Sequence, residues 1–269
     1  MRNHVFLSSP EVKVETENIP VAGHGHSGYI YTNKLRDFDK EFDRGVINEQ
    51  AVINHVRNTI RSHKPYRTKI SKWISDRPNF VTALFQRGKN MQLSKIIAKV
   101  VKQAAHDRLV RDASRAILRA YRVPSKDFIN EAGALHNFVC RFMRYNFDTG
   151  EQFVLPYRML ADWAEGHDGS DCDCLSILYA SLLTSIGWRD VRVVLVDGRG
   201  DGIISHACCA IKIPRLNTMF GDKWVNVELT RGEMTEMTKL GWLPPQKYTK
   251  YLMINVVQQP DEDPKGEKV

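Results

Sequence analysis

The sequence lacks any long apolar run and any recognisable targeting segment. A membrane-spanning helix needs about 18 consecutive apolar residues, and the richest stretches, such as VRVVLV at residues 191–196, are much shorter. The first residues also lack the apolar core of about 7 to 15 residues that marks a secretory signal peptide. We therefore expect a protein that is made in the cytoplasm and neither crosses nor binds a membrane.

Cysteine is scarce, and its number is odd. The chain of 269 residues has five cysteines: Cys140, Cys172, Cys174, Cys208 and Cys209. An odd number without an export signal favours reduced thiols over a disulfide framework. These thiols are candidates for catalysis, for metal binding or for burial in the core, and burial is the common fate of a cysteine.

Acidic residues are scarce in one segment, although the overall composition is ordinary. With 42% hydrophobic and 26% charged residues, the chain is typical of folded globular proteins and unlike collagenous or disordered ones. Residues 51–126, however, have 18 Lys and Arg but 3 acidic residues, a net charge of +15, so the remainder carries −7 within an overall +8. We expect this segment to bind nucleic acid or an acidic protein, without a motif for sequence-specific recognition.

The apolar pattern divides the chain into four regions: an extended N-terminal arm (1–45), a basic helical region (46–124), an α+β region (125–257) and a disordered tail (258–269). In the basic region, apolar residues three and four apart predict helices over 46–61, 69–85 and 93–121. The α+β region is predicted to have helices over 125–145, 156–163 and 172–186, followed by three strands of an antiparallel sheet.

The segment GSDCDCLSILYASLL places Cys172 at the first turn of an apolar helix, which Ser170 or Asp171 can cap. The unpaired backbone N–H groups and the dipole at a helix N-terminus stabilise a thiolate and can also bind an oxyanion. A nucleophile for acyl transfer requires both effects. Cys172 is therefore the candidate nucleophile.

A basic partner for Cys172 and a group to orient that partner lie further along the chain. His206 begins the predicted strand SHACCAIKI, and the later strand KWVNVEL offers Glu228 or Asn226. Such a third group fixes the tautomer and the orientation of the imidazole. The order along the chain is therefore cysteine, histidine and carboxylate or amide.

These motifs resemble the transglutaminase-like superfamily of papain-related thiol enzymes. The helix start GSDCDC, the strand ISHACCAIKI and the strand WVNVELT occur in the family's order within roughly residues 130–235. The resemblance implies that residues 125–257 form a papain-like catalytic domain with an antiparallel sheet. It also implies roles for Cys172 as nucleophile, His206 as base and Glu228 as the orienting acid, where the family usually has Asp.

The residues expected to support the triad follow from the same resemblance. The oxyanion is expected to bind the Cys172 backbone N–H, together with Trp163 or Tyr157. Asp171 is expected to support the helix start, and Asn226 is expected beside the histidine. No cofactor is implied.

The resemblance implies acyl transfer by a Cys-His-Glu triad, and we expect hydrolysis of a peptide or isopeptide amide in a protein or peptide substrate. Cross-linking is less expected because it requires exclusion of water, and no lid is recognisable. The alternative is a catalytically inactive structural or assembly protein that binds its partner through residues 51–126. Compact family members with this helix start occur in bacteriophages, so a virion-associated protein in a host cytoplasm is also an expectation.

A zinc site is the rival interpretation of the cysteines. The possible ligands are Cys172, Cys174, His206, Cys208 and Cys209. Adjacent residues of a strand point to opposite faces of the sheet, so Cys208 and Cys209 cannot both face one ion. We therefore expect no metal ion, and we expect Cys174 to lie on a different helix face from Cys172.

Overall fold

The computed structural model describes residues 35–63, 90–146, 154–167, 169–198, 203–213, 224–230 and 251–256. In these residues the chain forms seven helices: α1 (Phe38–Asp43), α2 (Glu49–Arg61), α3 (Asn90–Ala105), α4 (Arg108–Ala120), α5 (Phe128–Phe142), α6 (Pro156–Glu165) and α7 (Cys172–Ser185). Four strands form one sheet: β1 (Val191–Val196), β2 (His206–Ile211), β3 (Val225–Val227) and β4 (Tyr251–Asn255). The predicted α+β class is confirmed.

The sheet is antiparallel, with the strand order β3-β2-β1-β4. Val196 at the end of β1 lies opposite His206 at the start of β2, so the segment between them connects a hairpin, as predicted. β4 was not predicted from the sequence. It pairs with β1, with Ile254 opposite Val193, and so depends on a partner about 60 residues earlier in the chain.

Helix α7 is the centre of the fold. It contacts helices α3, α4, α5 and α6 as well as strands β1 and β2. Its residues from Asp173 to Leu183 are buried, as expected for a helix that is apolar on all sides. One continuous apolar core extends from Phe38 to Val256 through the described residues. The predicted regions 46–124 and 125–257 therefore share this core.

The extended-arm prediction is wrong for residues 38–43, which form α1. The side chain of Asp37 caps this helix by accepting a hydrogen bond from the Lys40 N–H. Phe38 and Phe42, four residues apart, lie on one helix face and contact the Tyr121 ring edge-on, with centroids 5.2 and 5.5 Å away. Burial of these two rings explains why a short polar segment becomes helical.

The predicted long helix over 93–121 is wrong as one element, because it is divided into α3 and α4. The Asp107 side chain accepts hydrogen bonds from the backbone N–H groups of Leu109 (2.8 Å) and Val110 (3.3 Å), which starts a new helix. The apolar period continues across the break because both helices face α7. The helix predicted over 69–85 and the tail predicted over 258–269 lie outside the described residues.

Among the helices of the described ranges, none combines the length and the apolar character required to cross a membrane.

Candidate active site

Cys172 is the first residue of α7, and Asp171 is the residue that caps this helix. Asp171 has extended backbone dihedrals, and its Oδ1 accepts a hydrogen bond from the Cys174 N–H at 3.3 Å. Cys172 is half-buried, whereas the other four cysteines are buried. The thiol at the helix start is therefore the one that a reagent or substrate can reach.

The three residues predicted as a triad lie together. His206 begins β2, Glu228 follows β3, and His206 Nε2 is 2.8 Å from Glu228 Oε2. Cys172 is close enough to His206 to raise the pKa of the imidazole. Because Nε2 faces Glu228, Nδ1 is the ring nitrogen that remains for Cys172. The helix start and the two strands thus align the three groups in the order that a thiol mechanism uses.

The charges of the triad stabilise one another. Burial lowers the pKa of His206, but its hydrogen bonds with Cys172 and Glu228 and the charges of both outweigh burial and raise this pKa to about 10. Burial raises the pKa of Glu228, but the hydrogen bond and charge of His206, with hydrogen bonds from Thr230, bring it below its usual value. At neutral pH His206 is therefore an imidazolium beside a carboxylate.

Glu228 is held by donors that use its other oxygen. Oε1 accepts hydrogen bonds from the Leu229 N–H at 2.9 Å, the Thr230 N–H at 3.0 Å and the Thr230 hydroxyl at 2.7 Å. These three contacts leave Oε2 directed at His206. The longer side chain of Glu, compared with the family's Asp, therefore still reaches the imidazole.

His136 and Cys140 on α5 lie behind Glu228, a contact that was not predicted from the sequence. His136 is 2% exposed, and its Nε2 is 2.8 Å from the backbone oxygen of Glu228. Cys140 Sγ is 3.4 Å from the same nitrogen and 3.7 Å from the Leu229 backbone oxygen. A His and a Cys four residues apart on an apolar helix face were the available signal. They fix the backbone from which the Glu228 side chain extends.

Gly198, which follows β1, allows the close approach of His206. A Cβ atom at position 198 would lie 2.8 Å from the His206 Cβ, well inside van der Waals contact. Any larger residue would therefore displace the backbone of the hairpin or the imidazole itself.

The residues expected to support the triad occupy different places. Trp163 is 3% exposed and packs against Phe138, with ring centroids 5.1 Å apart, so the structure does not bring it to the triad. Asn226 lies in β3, and its Oδ1 accepts a hydrogen bond from the Cys208 thiol at 3.4 Å. Asp171 acts as the cap of α7. Of the three, Asp171 is the one in direct contact with the helix start.

The possible zinc ligands are divided between the faces of the sheet. The Cys209 thiol donates to the Ser176 backbone oxygen of α7 at 3.2 Å, whereas Cys208 faces Asn226. Burial raises the pKa of the Cys208 thiol well above its usual value. The strand therefore presents its two cysteines to different surroundings, as the sequence predicted.

Asp171, Asp173 and Cys174 have donor atoms within 4.8 Å of one another. Burial raises the pKa of Asp173 well above its usual value, and the hydrogen bond and charge of Asp171 raise it further. The Cys174 sulfur accepts a hydrogen bond from the Val154 N–H at 3.3 Å, and burial raises the pKa of this thiol as well. Asp173 and Cys174 therefore favour their protonated forms, which are poor ligands for a cation.

A cavity of about 260 Å³ lies next to the residues that immediately precede α7. Ser170 in its wall is two residues before Cys172, and Val154 in its wall contacts Cys174. The lining combines apolar and polar side chains: Met143, Arg144, Val154, Met159, Asp162, His167, Gly169 and Ser170. Its size suits one side chain or a short segment of a substrate.

Comparison of the chain with protein-family models, with curated proteins and with solved structures finds no match.

Proposed function

We propose that the chain is a thiol-dependent acyl-transfer enzyme with a transglutaminase-like catalytic domain, and that it hydrolyses a peptide or isopeptide amide. The observation that supports this most directly is the cluster of Cys172, His206 and Glu228 at the start of α7, in which His206 Nε2 lies 2.8 Å from Glu228 Oε2 and Cys172 raises the pKa of His206. A half-buried thiol, an imidazole and an oriented carboxylate are the groups that nucleophilic catalysis by cysteine requires.

In the first half of the reaction, the Cys172 thiolate attacks the carbonyl carbon of the substrate and forms a C–S bond. The oxyanion accepts hydrogen bonds from backbone N–H groups at the start of α7, including that of Cys172. The C–N bond then breaks, and the leaving amine takes the Nδ1 proton of the His206 imidazolium. A thioester on Cys172 and a neutral His206 remain.

In the second half, water attacks the thioester while His206 Nδ1 accepts a proton from it. The C–S bond breaks, and Cys172 leaves as the thiolate beside the restored imidazolium. Glu228 keeps its hydrogen bond with Nε2 throughout and so holds Nδ1 towards the reacting atoms. Water is the favoured acceptor because Cys172 is half-buried and the His206 side chain is 21% exposed, so solvent reaches the thioester.

The cavity beside α7 is the proposed binding site for the acyl donor. Met143 and Met159 give it an apolar lining, and Arg144 and His167 add polar groups. Such a site orients a side chain of the substrate so that its carbonyl group lies near the first turn of α7. A protein or peptide with an amide bond next to a medium-sized side chain fits this description.

The test is cleavage of a proteome-derived peptide library by the full chain, read by mass spectrometry. Cys172→Ala is expected to abolish all cleavage. Cys174→Ser is the matched control, because it removes a thiol two residues away and keeps an acceptor for the Val154 N–H. Cleavage that persists in Cys172→Ala would contradict the proposal.

The acceptor is identified by running the reaction in H₂¹⁸O, with and without a primary amine. Hydrolysis places ¹⁸O in the new carboxyl group, whereas cross-linking produces an amide with the added amine. If the wild type gives neither product, and Cys172 reacts with iodoacetamide no faster than a free thiol, the chain is instead the inactive structural protein.

A further inference from the structure

Helix α4 has a row of arginines on one face and no lysine. Arg108, Arg111, Arg115 and Arg119 are three or four residues apart, so they follow one side of the helix for about 16 Å. The side chains of Arg108 and Arg115 are 78% and 57% exposed. The other side of the helix faces the core through Leu109, Val110, Ala113, Ala116 and Ile117.

The row is only weakly neutralised by neighbouring acids. Asp112 is the one acidic residue in α4, and its nearest ion-pair contact is with His63 Nε2, at 3.2 Å. Its contacts with Arg108 and Arg115 are longer, at 3.9 and 4.0 Å, and such exposed pairs contribute little. Within the described ranges, Arg119 has no ion-pair partner and Arg111 Nε is buried without a hydrogen-bond partner. We call these four side chains the arginine face.

We propose that the arginine face of α4 binds the phosphate backbone of a nucleic acid. One guanidinium per helical turn requires a partner with an anion about every 5 to 6 Å over the length of the row. A nucleic-acid strand presents one phosphate per nucleotide whatever its sequence, whereas an acidic protein would need carboxylates placed in a matching row. The planar guanidinium also fits the oxygens of a phosphate with two parallel hydrogen bonds, which an ammonium group does not.

This binding is independent of base sequence, because backbone contacts carry no base information. It is also independent of the thiol chemistry, because the arginine face is formed by a helix that supplies no member of the triad. The proposal therefore stands whether or not the chain cleaves a substrate.

The test measures fluorescence anisotropy of labelled 20-nucleotide DNA, single- and double-stranded, with the full chain between 50 and 200 mM salt. The variant replaces the three exposed arginines of the row with Gln: Arg108, Arg115 and Arg119. Each lost phosphate contact reduces the slope of log K against log salt by about 0.7 to 0.9. Over this fourfold salt range, the wild type is therefore expected to lose about 20- to 40-fold more affinity than the variant.

The matched control makes the same change in net charge elsewhere on the surface, by replacing Lys40, Arg44 and Arg189 with Gln. Its salt slope is expected to equal that of the wild type. If the triple variant at α4 does not fold, Arg119→Gln alone is expected to reduce the slope by about 0.7 to 0.9.

Three outcomes would overturn the proposal. The first is an equal loss of affinity in the control, which would make net charge the cause. The second is a wild-type salt slope in the α4 variants. The third is binding of poly-glutamate that depends on the arginine face and is as tight as DNA binding, which would identify an acidic protein as the partner. The ratio of single- to double-stranded affinities then identifies the form of nucleic acid that is bound.

Discussion

Replacing Glu228 with Gln is expected to invert the hydrogen-bonding role of His206. Oε1 of Glu228 accepts three hydrogen bonds from Leu229 and Thr230, so in the variant the amide oxygen must occupy that position. The amide NH₂ then faces His206 Nε2, which can only accept from it. The imidazole becomes neutral with its proton on Nδ1, directed at Cys172.

The neutral imidazole has no positive charge to stabilise a thiolate on Cys172, and its protonated Nδ1 cannot take the proton of the thiol. The equivalent acid-to-amide change in a Ser-His-Asp triad lowers kcat about 10⁴-fold by this mechanism, and a similar loss of peptide cleavage is expected here. Alkylation of Cys172 by iodoacetamide needs only the thiolate. Labelling is therefore expected to be slower in the variant than in the wild type.

The assay is the rate at which iodoacetamide labels the Cys172 peptide at pH 7, with the His206 tautomer read from ¹⁵N chemical shifts. The matched control is Glu131→Gln, the same change at a buried carboxyl group that accepts hydrogen bonds from the Lys126 N–H and the Trp188 indole. The control is expected to lose stability but to label at the wild-type rate. If Glu228→Gln also labels at the wild-type rate, or keeps a proton on Nε2, the reasoning is refuted.

Other changes around the triad are expected to separate its parts. His136→Leu removes the hydrogen bond to the Glu228 backbone oxygen and is expected to slow the labelling of Cys172. His136→Gln keeps a donor and is expected to restore the labelling rate. Equal labelling rates in the two variants would contradict the role of His136. Met159→Trp fills the cavity and is expected to raise KM without changing the rate at which iodoacetamide labels Cys172. A slower labelling rate would show that the triad itself had moved. The difference in the free energy of unfolding between the wild type and Glu228→Gln should depend on pH. Charged His206 stabilises the fold fully below about pH 6.5, and this contribution is lost as pH rises through about 10. Charged Glu228 stabilises the fold above about pH 4.5, and this contribution is lost as pH falls through its lowered folded pKa. Urea unfolding is therefore expected to show the largest difference in unfolding free energy between about pH 4.5 and 6.5, where it is at most about 5 kcal/mol. A difference that is constant with pH would contradict the assigned charges.

The positions of Cys172 and His206 were predictable because each has a local signal. A capping Asp171 ahead of an apolar run predicts the helix start that exposes Cys172. His206 follows a glycine-rich segment between two apolar strands, which predicts a hairpin and places His206 at the start of its second strand. These signals each depend on fewer than about ten neighbouring residues.

The remaining features depend on contacts between distant parts of the chain. His136 and the backbone oxygen of Glu228 are 92 residues apart in sequence, and no local pattern relates them. Trp163 was expected at the oxyanion from the family resemblance alone. A large apolar ring, however, gains more from burial against Phe138 than from a place at the surface. The break between α3 and α4 was missed because both helices face α7, so their apolar period continues while Asp107 changes the backbone.

The burial of Glu228 supports the proposed catalysis. The Glu228 side chain is nearly inaccessible. Replacing a buried ion pair with apolar residues is often neutral or stabilising. A protein selected only for its fold therefore does not need the pair of Glu228 and His206. The carboxylate is instead held by donors that direct it at His206, which contacts the half-buried Cys172. Cys172→Ala is therefore expected to abolish cleavage while changing the free energy of unfolding by no more than about 1 kcal/mol, measured by urea denaturation. A loss of more than about 3 kcal/mol would mean that the thiol is a structural part of the core.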